Sequence, residues 1–231
     1  MNLSSISILN NINKKDHQFA VIGLGRFGRG VCHGLKELGY EVLGTDLDDK
    51  LVHKVILEKI VSHAIKLDST DPVALKEAGI FEFDTVIIAI GNYIEESIIT
   101  TLNVKEGGVK HVIAKASSEI HRTLLNKVGA NQVVFPEKEA GLELAKKLTK
   151  PDILERFELD PEHSIIEVLV PKEFHGKTIA QLQLRNCYGL NLLAVGQGEH
   201  FEINPKPTQV LSQGLAMVVI GSNKDIQRLP I

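Results

Sequence analysis

The fold of this chain is decided by one stretch, Phe19-Ala20-Val21-Ile22-Gly23-Leu24-Gly25-Arg26-Phe27-Gly28. It is an apolar run that breaks into a glycine-rich turn and becomes helical from Arg26 to about Leu38. Gly23 allows a tight turn, Gly25 lets the backbone approach a pyrophosphate, and Gly28 lets the helix pack against the strand. Phosphates would lie against unpaired N–H groups and the positive end of the helix dipole. The stretch therefore predicts the first strand, turn and helix of a nucleotide-binding Rossmann unit.

An acidic residue follows this unit at the expected distance. Residues 40–46 are predicted to form a second strand that ends in Asp46. A carboxylate there can accept hydrogen bonds from both ribose hydroxyls, and it would repel a 2′-phosphate. Because NADH and ATP share that ribose, the nucleotide itself is left open between NAD(H) and ATP or ADP.

Composition narrows the class of protein. The chain has 231 residues, 43% of them hydrophobic, and a formal charge of −3, which gives no sign of a nucleic-acid partner. Residues 1–18 are predicted to be a flexible tail. In a secretory signal the positive charges precede the apolar part, whereas here Lys14 and Lys15 come after it. No apolar run is long enough to cross a bilayer. Cys32 and Cys187 lie far apart, so we expect no disulfide framework, a reducing cytoplasm, and a core position for Cys32.

Strand and helix patterns alternate over residues 19–150, which predicts an α/β domain with a doubly wound parallel sheet. The predicted strands are 19–22, 40–46, 63–68, 85–91, 111–116 and 132–137. The predicted buried helix faces carry Leu51, Val55 and Ile56 in the helix 50–59, and Ile98, Ile99 and Leu102 in the helix 95–106. A proline-bounded linker, 151–161, leads to a small α+β domain over 162–231. That second domain is too small to be the catalytic half of an ordinary dehydrogenase.

Candidate binding residues gather where the predicted parallel strands end, because ligands of such sheets bind beyond those ends. Asp68 could accept a hydrogen bond from an adenine amine, or cap the helix that begins at Pro72. Lys115 ends an apolar strand, where a cation needs either a phosphate or a nearby carboxylate. Glu137 could hold a divalent ion beside phosphates, or cap the following helix.

Catalytic patterns are missing from the sequence. Arg29-Gly30 stands where a P-loop needs Lys followed by Ser or Thr. We find no histidine spacing typical of a metal site, no Gly-x-Ser-x-Gly elbow and no general-base constellation. The chain is therefore predicted to bind its ligand without turnover. The alternatives are an NAD-dependent oxidoreductase, for which residues 151–231 offer no acid or base group, and a free-standing nucleotide sensor.

Three motifs together resemble a known family: residues 20–28 (AVIGLGRFG), 86–91 (VIIAIG) and 135–141 (FPEKEAG). They are similar to the RCK/KTN regulators of potassium uptake, closest to the regulatory subunits of Ktr-type systems. The resemblance covers everything after the tail. It implies a cytoplasmic subunit, assembled from dimers into an octameric ring, that docks on the inner face of a KtrB-like potassium-conducting membrane subunit. ATP would favour the conducting state and ADP the closed state.

The resemblance also implies roles for individual residues. Arg26 matches an arginine that reaches the γ-phosphate from the neighbouring subunit, and Glu137 matches a carboxylate that holds Mg²⁺ or Ca²⁺ beside it. The remaining predicted cleft residues are Gly23, Gly25, Phe27 and Gly28 in the turn, Asp46 for the ribose, Asp68 and Ser69 for the adenosine, and Ile90, Gly91, Asn92, Lys115, Ala116, Ser117 and His121. Arg185, Asn191 and Pro207 match positions at which some relatives bind cyclic di-AMP between two subunits; otherwise they are a surface charge and loop residues.

Overall fold

A computed structural model describes residues 17–61, 63–149, 151–198 and 200–231, without the side chains of residues 146 and 147. The described residues divide into two compact units, one ending at Ala140 and the other beginning at Gly141. Each unit has its own hydrophobic core, and each is treated separately below. The domain boundaries given above stay a prediction.

The first unit is built on a parallel sheet. Its strands are β1 (Phe19–Ile22), β2 (Val42–Asp46), β3 (His63–Lys66), β4 (Thr85–Ile88), β5 (His111–Lys115) and β6 (Gln132–Val134). Its helices are α1 (Arg26–Glu37), α2 (Asp49–Leu57), α3 (Pro72–Glu77), α4 (Ile94–Glu106) and α5 (Glu119–Lys127), and α6 (Pro136–Thr149) begins in it. In this described part the order is β3-β2-β1-β4-β5-β6 with every pair parallel, which confirms the predicted doubly wound Rossmann sheet.

Both faces of the sheet are covered, and β1 shows why. Phe19 and Val21 point to a core that contains Cys32 of α1 and the buried side chains of α2. Ala20 and Ile22 point to the opposite core, which contains buried side chains of α3, α4 and α5. A strand buried on both faces must be apolar at every position. The chain order reverses between β1 and β4, and this switch point is where a ligand crevice is expected.

Two of the predicted helix faces are only partly right: Val55 is buried and Leu51 and Ile98 pack against the core, whereas Ile56 and Leu102 are exposed. The buried side of α4 carries Ser97, Thr100, Thr101 and Val104, whereas Leu102 is 39% exposed. The predicted Ile98 and Ile99 are only partly buried. The small hydroxyl side chains of α4 take the fully buried positions, and the Thr101 hydroxyl donates to the Ser97 carbonyl, one helical turn back. In α2, Val52 and Val55 are buried, whereas Ile56 is exposed.

Side chains set the beginnings of the short helices. Asp48 caps α2 by accepting from the Lys50 N–H, and Asp71 caps α3 by accepting from the Val73 N–H. The alternative role of Asp68 as the cap of α3 is therefore wrong. Gly79 follows α3 in the left-handed conformation (φ +70°), as its sequence position indicates.

The second unit is a small α+β module, as predicted. Its elements are β7 (Ile153–Glu158), β8 (His163–Leu169), α7 (Ile179–Leu182), α8 (Leu184–Tyr188), β9 (Asn191–Gln197), β10 (His200–Ile203), β11 (Ala216–Ser222) and α9 (Asn223–Ile226). Its described strands form an antiparallel sheet in the order β10-β9-β11-β8-β7. The predicted linker 151–161 is not irregular throughout, because it contains β7. The charged residues Glu155, Arg156 and Glu158 hid this strand, and they are tolerated because β7 lies at the sheet edge.

Most of the predicted tail, residues 1–16, lies outside the described residues. At its end the Gln18 N–H donates to Asp84, and the Gln18 carbonyl accepts from the Thr85 N–H. Among the described residues no helix has the length and apolarity that crossing a bilayer requires. Cys32 is buried and Cys187 exposed, and both are free thiols.

Candidate functional site

A cavity of about 670 Å³ opens at the carboxyl ends of the parallel strands. The predicted residues that line it are Gly23, Gly25, Arg26, Phe27, Asp46, Asp68, Ser69, Ile90, Gly91, Asn92, Lys115 and Glu137. They come from the ends of β1, β2, β4 and β5, the segment after β3, and the first turn of α6. The structure thus brings together at the switch point the residues that the strand-end rule selects.

The glycine-rich turn has the geometry that its glycines predict. Gly23 has φ +98°, in the left-handed region that favours glycine. A Cβ on Gly28 would lie 1.8 Å from the Gly23 carbonyl oxygen, so α1 packs directly on the end of β1. A Cβ on Gly25 would meet no described heavy atom within 4 Å. The backbone at Gly25 thus faces open space at the start of α1, where N–H groups attract anions.

Two side chains hold the turn through the backbone of Leu24. The Leu24 N–H donates to Asp46 Oδ2 at 2.6 Å, and the Leu24 carbonyl accepts from Arg29 Nη1 at 3.0 Å. Asp46 Oδ1 also accepts from the Asp48 N–H at 2.8 Å. Each carboxylate oxygen has a second lone pair, so Asp46 can still accept hydrogen bonds from a ribose. Asp46 therefore shapes the turn as well as facing the cavity.

Lys115 and Glu137 form an ion pair at the cavity wall. Lys115 Nζ lies 2.7 Å from Glu137 Oε1 and 5.7 Å from the centroid of the Phe27 ring, a cation–π contact. The hydrogen bond from Lys115 contributes most to holding the pKa of the Glu137 carboxyl below its usual range, and the charges of Lys115 and, last, of Arg26 add to it. The sequence left open whether Lys115 pairs with a phosphate or with a carboxylate, and the structure shows a carboxylate. Binding Lys115 is a role of Glu137 that the sequence analysis did not consider beside a divalent ion and a helix cap.

Asp68 and Ser69 differ in their surroundings. Asp68 is exposed and accepts from both the hydroxyl and the N–H of Thr70, which together hold its pKa below the ordinary value, the hydroxyl bond contributing most. Ser69 is buried, and its hydroxyl lies 2.7 Å from the Thr100 hydroxyl. The Asp68 carboxylate is therefore the more accessible of the two to a ligand.

Four predicted cleft residues do not line the cavity: Gly28, Ala116, Ser117 and His121. Gly28 contributes indirectly, because it lets α1 pack against the Gly23 carbonyl at the end of β1. Ala116 and His121 are fully buried, and both the N–H and the hydroxyl of Ser117 lie within hydrogen-bond distance of His121 Nδ1. Burial holds the pKa of His121 below its usual value, which favours the neutral imidazole. Their assignment as ligand contacts stays a prediction.

Several lining residues were not predicted: Ile22, Leu47, Asp48, Leu51, Leu67, Thr70, Ala89, Tyr93 and Glu96. Leu47, Asp48 and Tyr93 directly follow predicted site residues at the ends of β2 and β4, so the strand-end rule could have found them. Leu51 and Glu96 lie in the first turns of α2 and α4, and their spacing carries no comparable signal. Leu47 and Tyr93 are more than 60% exposed, which places apolar side chains at the rim.

A divalent cation fits this cavity only together with a ligand. The described residues contain no group of three or more His, Cys, Asp or Glu side chains arranged for a metal ion. The carboxylates that line the cavity, Glu137 among them, therefore do not form a complete metal site by themselves. Mg²⁺ is commonly held by one or two carboxylates together with phosphates of the bound molecule. The donor set fits a cation shared with phosphates.

The second unit has its own cavity, of about 370 Å³, beside α7, α8 and β9. Arg185 and Asn191 line it, together with Gln183 and apolar residues such as Leu184. Pro207 does not line this cavity, although its carbonyl accepts from the N–H of the lining residue Ala180. Two of the three residues matched to cyclic di-AMP thus share a concave surface.

Solved structures agree with this fold. The RCK domain of GsuK superposes with a TM-score of 0.56 and 22% identity, over 97% of this chain and 48% of the GsuK chain. The GsuK channel bound to NAD has a TM-score of 0.54 at 21% identity, over 92% of this chain and 38% of the other. GsuK bound to ADP has a TM-score of 0.51 at 20% identity, over 59% of this chain and 36% of the GsuK chain. At these identities the likeness shows the fold alone.

Sequence comparison is more specific. Residues 19–136 match the TrkA-N domain, and residues 164–229 match the TrkA-C domain. Ktr system potassium uptake protein C of Bacillus subtilis is 41% identical over 91% of this chain and 95% of its own length. Ktr system potassium uptake protein A of the same organism is 35% identical over 93% of this chain and 96% of its own length. The resemblance inferred from the three motifs is confirmed: this chain has a TrkA-N and a TrkA-C domain and belongs to the family of Ktr system potassium uptake proteins.

Proposed function

We propose that this chain is a nucleotide-sensing regulatory subunit that gates a potassium-conducting membrane subunit, with no turnover of its own. The observation that carries the proposal is the cavity at the switch point. A glycine-rich turn, the Asp46 carboxylate at the position suited to a ribose, and the cations Arg26 and Lys115 all line it. Its relatives are potassium uptake proteins, which supports potassium as the ion that the partner conducts. The subunit acts on the cytoplasmic side, bound to the membrane through a KtrB-like partner.

ATP activates and ADP inactivates because only ATP carries a γ-phosphate. In this proposal the β- and γ-phosphates lie over Gly25 and the start of α1, and Arg26 provides charge for the γ-phosphate of a neighbouring subunit's nucleotide. Mg²⁺ or Ca²⁺ is held between the triphosphate and Glu137. A ligand shifts an equilibrium between two states only by its difference in affinity for them. The γ-phosphate and its cation supply that difference.

The rest of the nucleotide occupies the other end of the cavity. Asp46 accepts from the ribose hydroxyls, and Asp68 accepts from the adenine amine. Leu47 and Tyr93 at the rim cover the apolar faces of the base. An adenine ring buries apolar area without needing charge, so exposed apolar side chains suit that subsite.

Self-association supports gating, because a ring transmits a change in one cleft to its neighbours. We propose that copies of this chain assemble as dimers into an octamer. Apolar side chains stand exposed on α4 and α5, which pack against each other: Ile94, Leu102, Ile120 and Leu124. Light scattering should give a mass near eight times that of the 25.4 kDa chain. A monomer at micromolar concentration would contradict the ring.

Calorimetric titration of the nucleotide-free protein with ATP, ADP and NADH, with and without Mg²⁺, tests the proposal. We expect ATP and ADP to compete for one site and Mg²⁺ to strengthen ATP binding alone. Arg26→Ala should weaken ATP binding more than ADP binding, by about tenfold if a charge-assisted hydrogen bond of about 1.5 kcal/mol is lost. Arg122→Ala is the matched control, because Arg122 is an exposed arginine of the same unit that does not line the cavity. Equal losses for ATP and ADP in Arg26→Ala would remove the γ-phosphate contact.

NAD(H) is the alternative ligand, since Asp46 suits its ribose equally and a structural neighbour of this fold is bound to NAD. Tight NADH binding with no response to ATP would favour an oxidoreductase or a free-standing sensor. Hydride transfer to an acceptor, abolished in Asp46→Ala, would establish the former.

Cyclic di-AMP is proposed as a second ligand, bound in the cavity of the second unit. Arg185 would contact a phosphate and Asn191 a base or ribose, and Pro207 would contribute from outside the described cavity wall. Titration with cyclic di-AMP should give binding that Arg185→Ala weakens and Arg26→Ala leaves unchanged. Absence of heat and of any shift in melting temperature would discard this ligand.

A further inference from the structure

The Lys115–Glu137 ion pair occupies the place where phosphates and a cation are proposed to bind. Lys115 is mostly buried, with 13% of its side chain exposed, whereas Glu137 is 64% exposed. Lys115 passes over Gly91, where even a Cβ would lie 3.0 Å from its Nζ. Packing therefore restricts the lysine, whereas the largely exposed glutamate has room to move away from it.

The Lys115–Glu137 ion pair changes the charge that a ligand meets in the cavity. Among the described lining residues the cations are Arg26 and Lys115, whereas Asp46, Asp48, Asp68, Glu96 and Glu137 are acidic. The charge of Lys115 is neutralised by Glu137, so an anionic ligand meets an acidic wall in which Arg26 is the cation that forms no ion pair within the described part of the chain. A phosphate that reached Lys115 would lie within a few ångströms of the Glu137 carboxylate. Like charges at that separation repel strongly in a partly buried site.

We infer that Lys115 is exchanged from Glu137 to the incoming phosphate, and that this exchange releases the Glu137 carboxylate for a divalent cation. The inference rests on the proposed function, because it concerns the same cavity. Before binding, the Glu137 carboxylate is held by Lys115. After the exchange, the phosphate and Glu137 provide adjacent oxygen ligands, as Mg²⁺ requires. Phosphate and cation then bind as a linked pair.

A double-mutant cycle on nucleotide binding measures whether the pair opens. Lys115→Met keeps most of the length of the buried stem, and Glu137→Gln keeps the shape of the side chain. Calorimetry would give the dissociation constants of ATP and of inorganic triphosphate for the wild type, both single variants and the double variant, first in EDTA. If the pair breaks on binding, its energy opposes binding only when both residues are present.

In EDTA we expect Glu137→Gln to tighten ATP binding more when it is made in the wild type than when it is made in the Lys115→Met variant. The ratio of the two gains should be about fivefold, the upper range for an ion pair that is partly exposed. Equal gains in both backgrounds would overturn the inference, because they would show that the pair persists in the bound state. Glu96→Gln is the charge control, since Glu96 lines the same cavity but forms no ion pair in the described part of the chain. Its gain should be the same in the wild type as in the Lys115→Met variant.

Adding Mg²⁺ tests the second half of the exchange. Mg²⁺ should tighten ATP binding in the wild type and in Lys115→Met, but not in Glu137→Gln. Retained Mg²⁺ dependence in Glu137→Gln would overturn the release of Glu137 for a cation. If the wild type binds neither ATP nor triphosphate, the proposed function fails. Normal wild-type binding with an additive cycle refutes only the exchange.

Discussion

Replacement of Gly28 by alanine should disrupt the packing on which the candidate site is built. The new Cβ would lie 1.8 Å from the Gly23 carbonyl oxygen and 3.2 Å from the Ala89 Cβ. Non-bonded heavy atoms prefer separations of about 3.5 Å, so α1 would have to move from the end of β1 by roughly 1.5 Å. The first contact is with backbone at a buried position, and a change of rotamer cannot relieve it. Overpacking of this kind typically costs about 1–3 kcal/mol.

A matched variant isolates this steric effect from helix propensity. Gly30 lies in the same helix, and a Cβ there would meet no described heavy atom within 4 Å. Gly30→Ala should therefore stabilise the protein by about 0.5–1 kcal/mol, the ordinary gain of alanine over glycine within a helix. Gly28→Ala carries the same gain, which offsets part of its steric cost.

Thermal unfolding at fixed protein concentration would separate the two variants. For a chain of this size each kcal/mol corresponds to about 2–4 °C in Tm, so the net cost of up to about 2.5 kcal/mol in Gly28→Ala should lower the Tm by up to roughly 10 °C while Gly30→Ala raises it slightly. Gly28→Ala should also weaken ATP and ADP binding alike, because the whole turn is displaced. A Gly28→Ala protein with the Tm and nucleotide affinity of Gly30→Ala would refute the argument.

Three other predictions follow from individual side chains. Asp46→Ala should reduce the free energy of unfolding by about 1–3 kcal/mol without any nucleotide, because the buried Leu24 N–H loses its acceptor; a destabilisation visible only with ligand would contradict that role. The Glu137 pKa is lowered in the folded protein, so its contribution to stability is present above the ordinary glutamate value of about 4.3 and is lost as the pH falls through the folded value. The Tm difference between wild type and Glu137→Gln should therefore shrink from about pH 6 to about pH 3, and a constant difference would count against the pair. Burial raises the pKa of the Cys32 thiol to about 12, so a thiol reagent should modify Cys187 at once and Cys32 only on unfolding; two rapid equivalents in the native protein would oppose this packing.

The proposed nucleotide binding and ion-pair exchange would together let the cavity distinguish ligands by the number of their phosphates. In the proposed mechanism the turn around Gly25 would accept an anion whatever its length, whereas Lys115 and Glu137 would respond only to phosphates that reach their end of the cavity. A diphosphate and a triphosphate would then differ in whether the carboxylate is released. This difference is what a regulatory subunit needs in order to distinguish ADP from ATP.

The local parts of this structure were determined by the sequence alone. The strand, turn and helix around Gly23, Gly25 and Gly28 follow from adjacent residues, and the acid at Asp46 ends a strand whose apolar run is visible in the chain. The order of strands and helices in the first unit could be predicted because each element has its own periodicity and its own end signals. Those elements were enough to place most of the candidate site, since the carboxyl ends of parallel strands lie at one edge of a sheet.

Only the tertiary structure decided which side chains meet. Lys115 and Glu137 are 22 residues apart, and no local pattern states that the lysine contacts this carboxylate. The buried face of α4 was only partly predicted, because Ile98 packs against the core but small hydroxyl side chains, which permit a closer approach than isoleucine, occupy the most buried positions. β7 went unrecognised because an edge strand is stabilised by its partner's backbone, and its own side chains can remain charged. Local structure follows from neighbours in the chain, whereas pairing, burial and edge position depend on residues that only folding brings together.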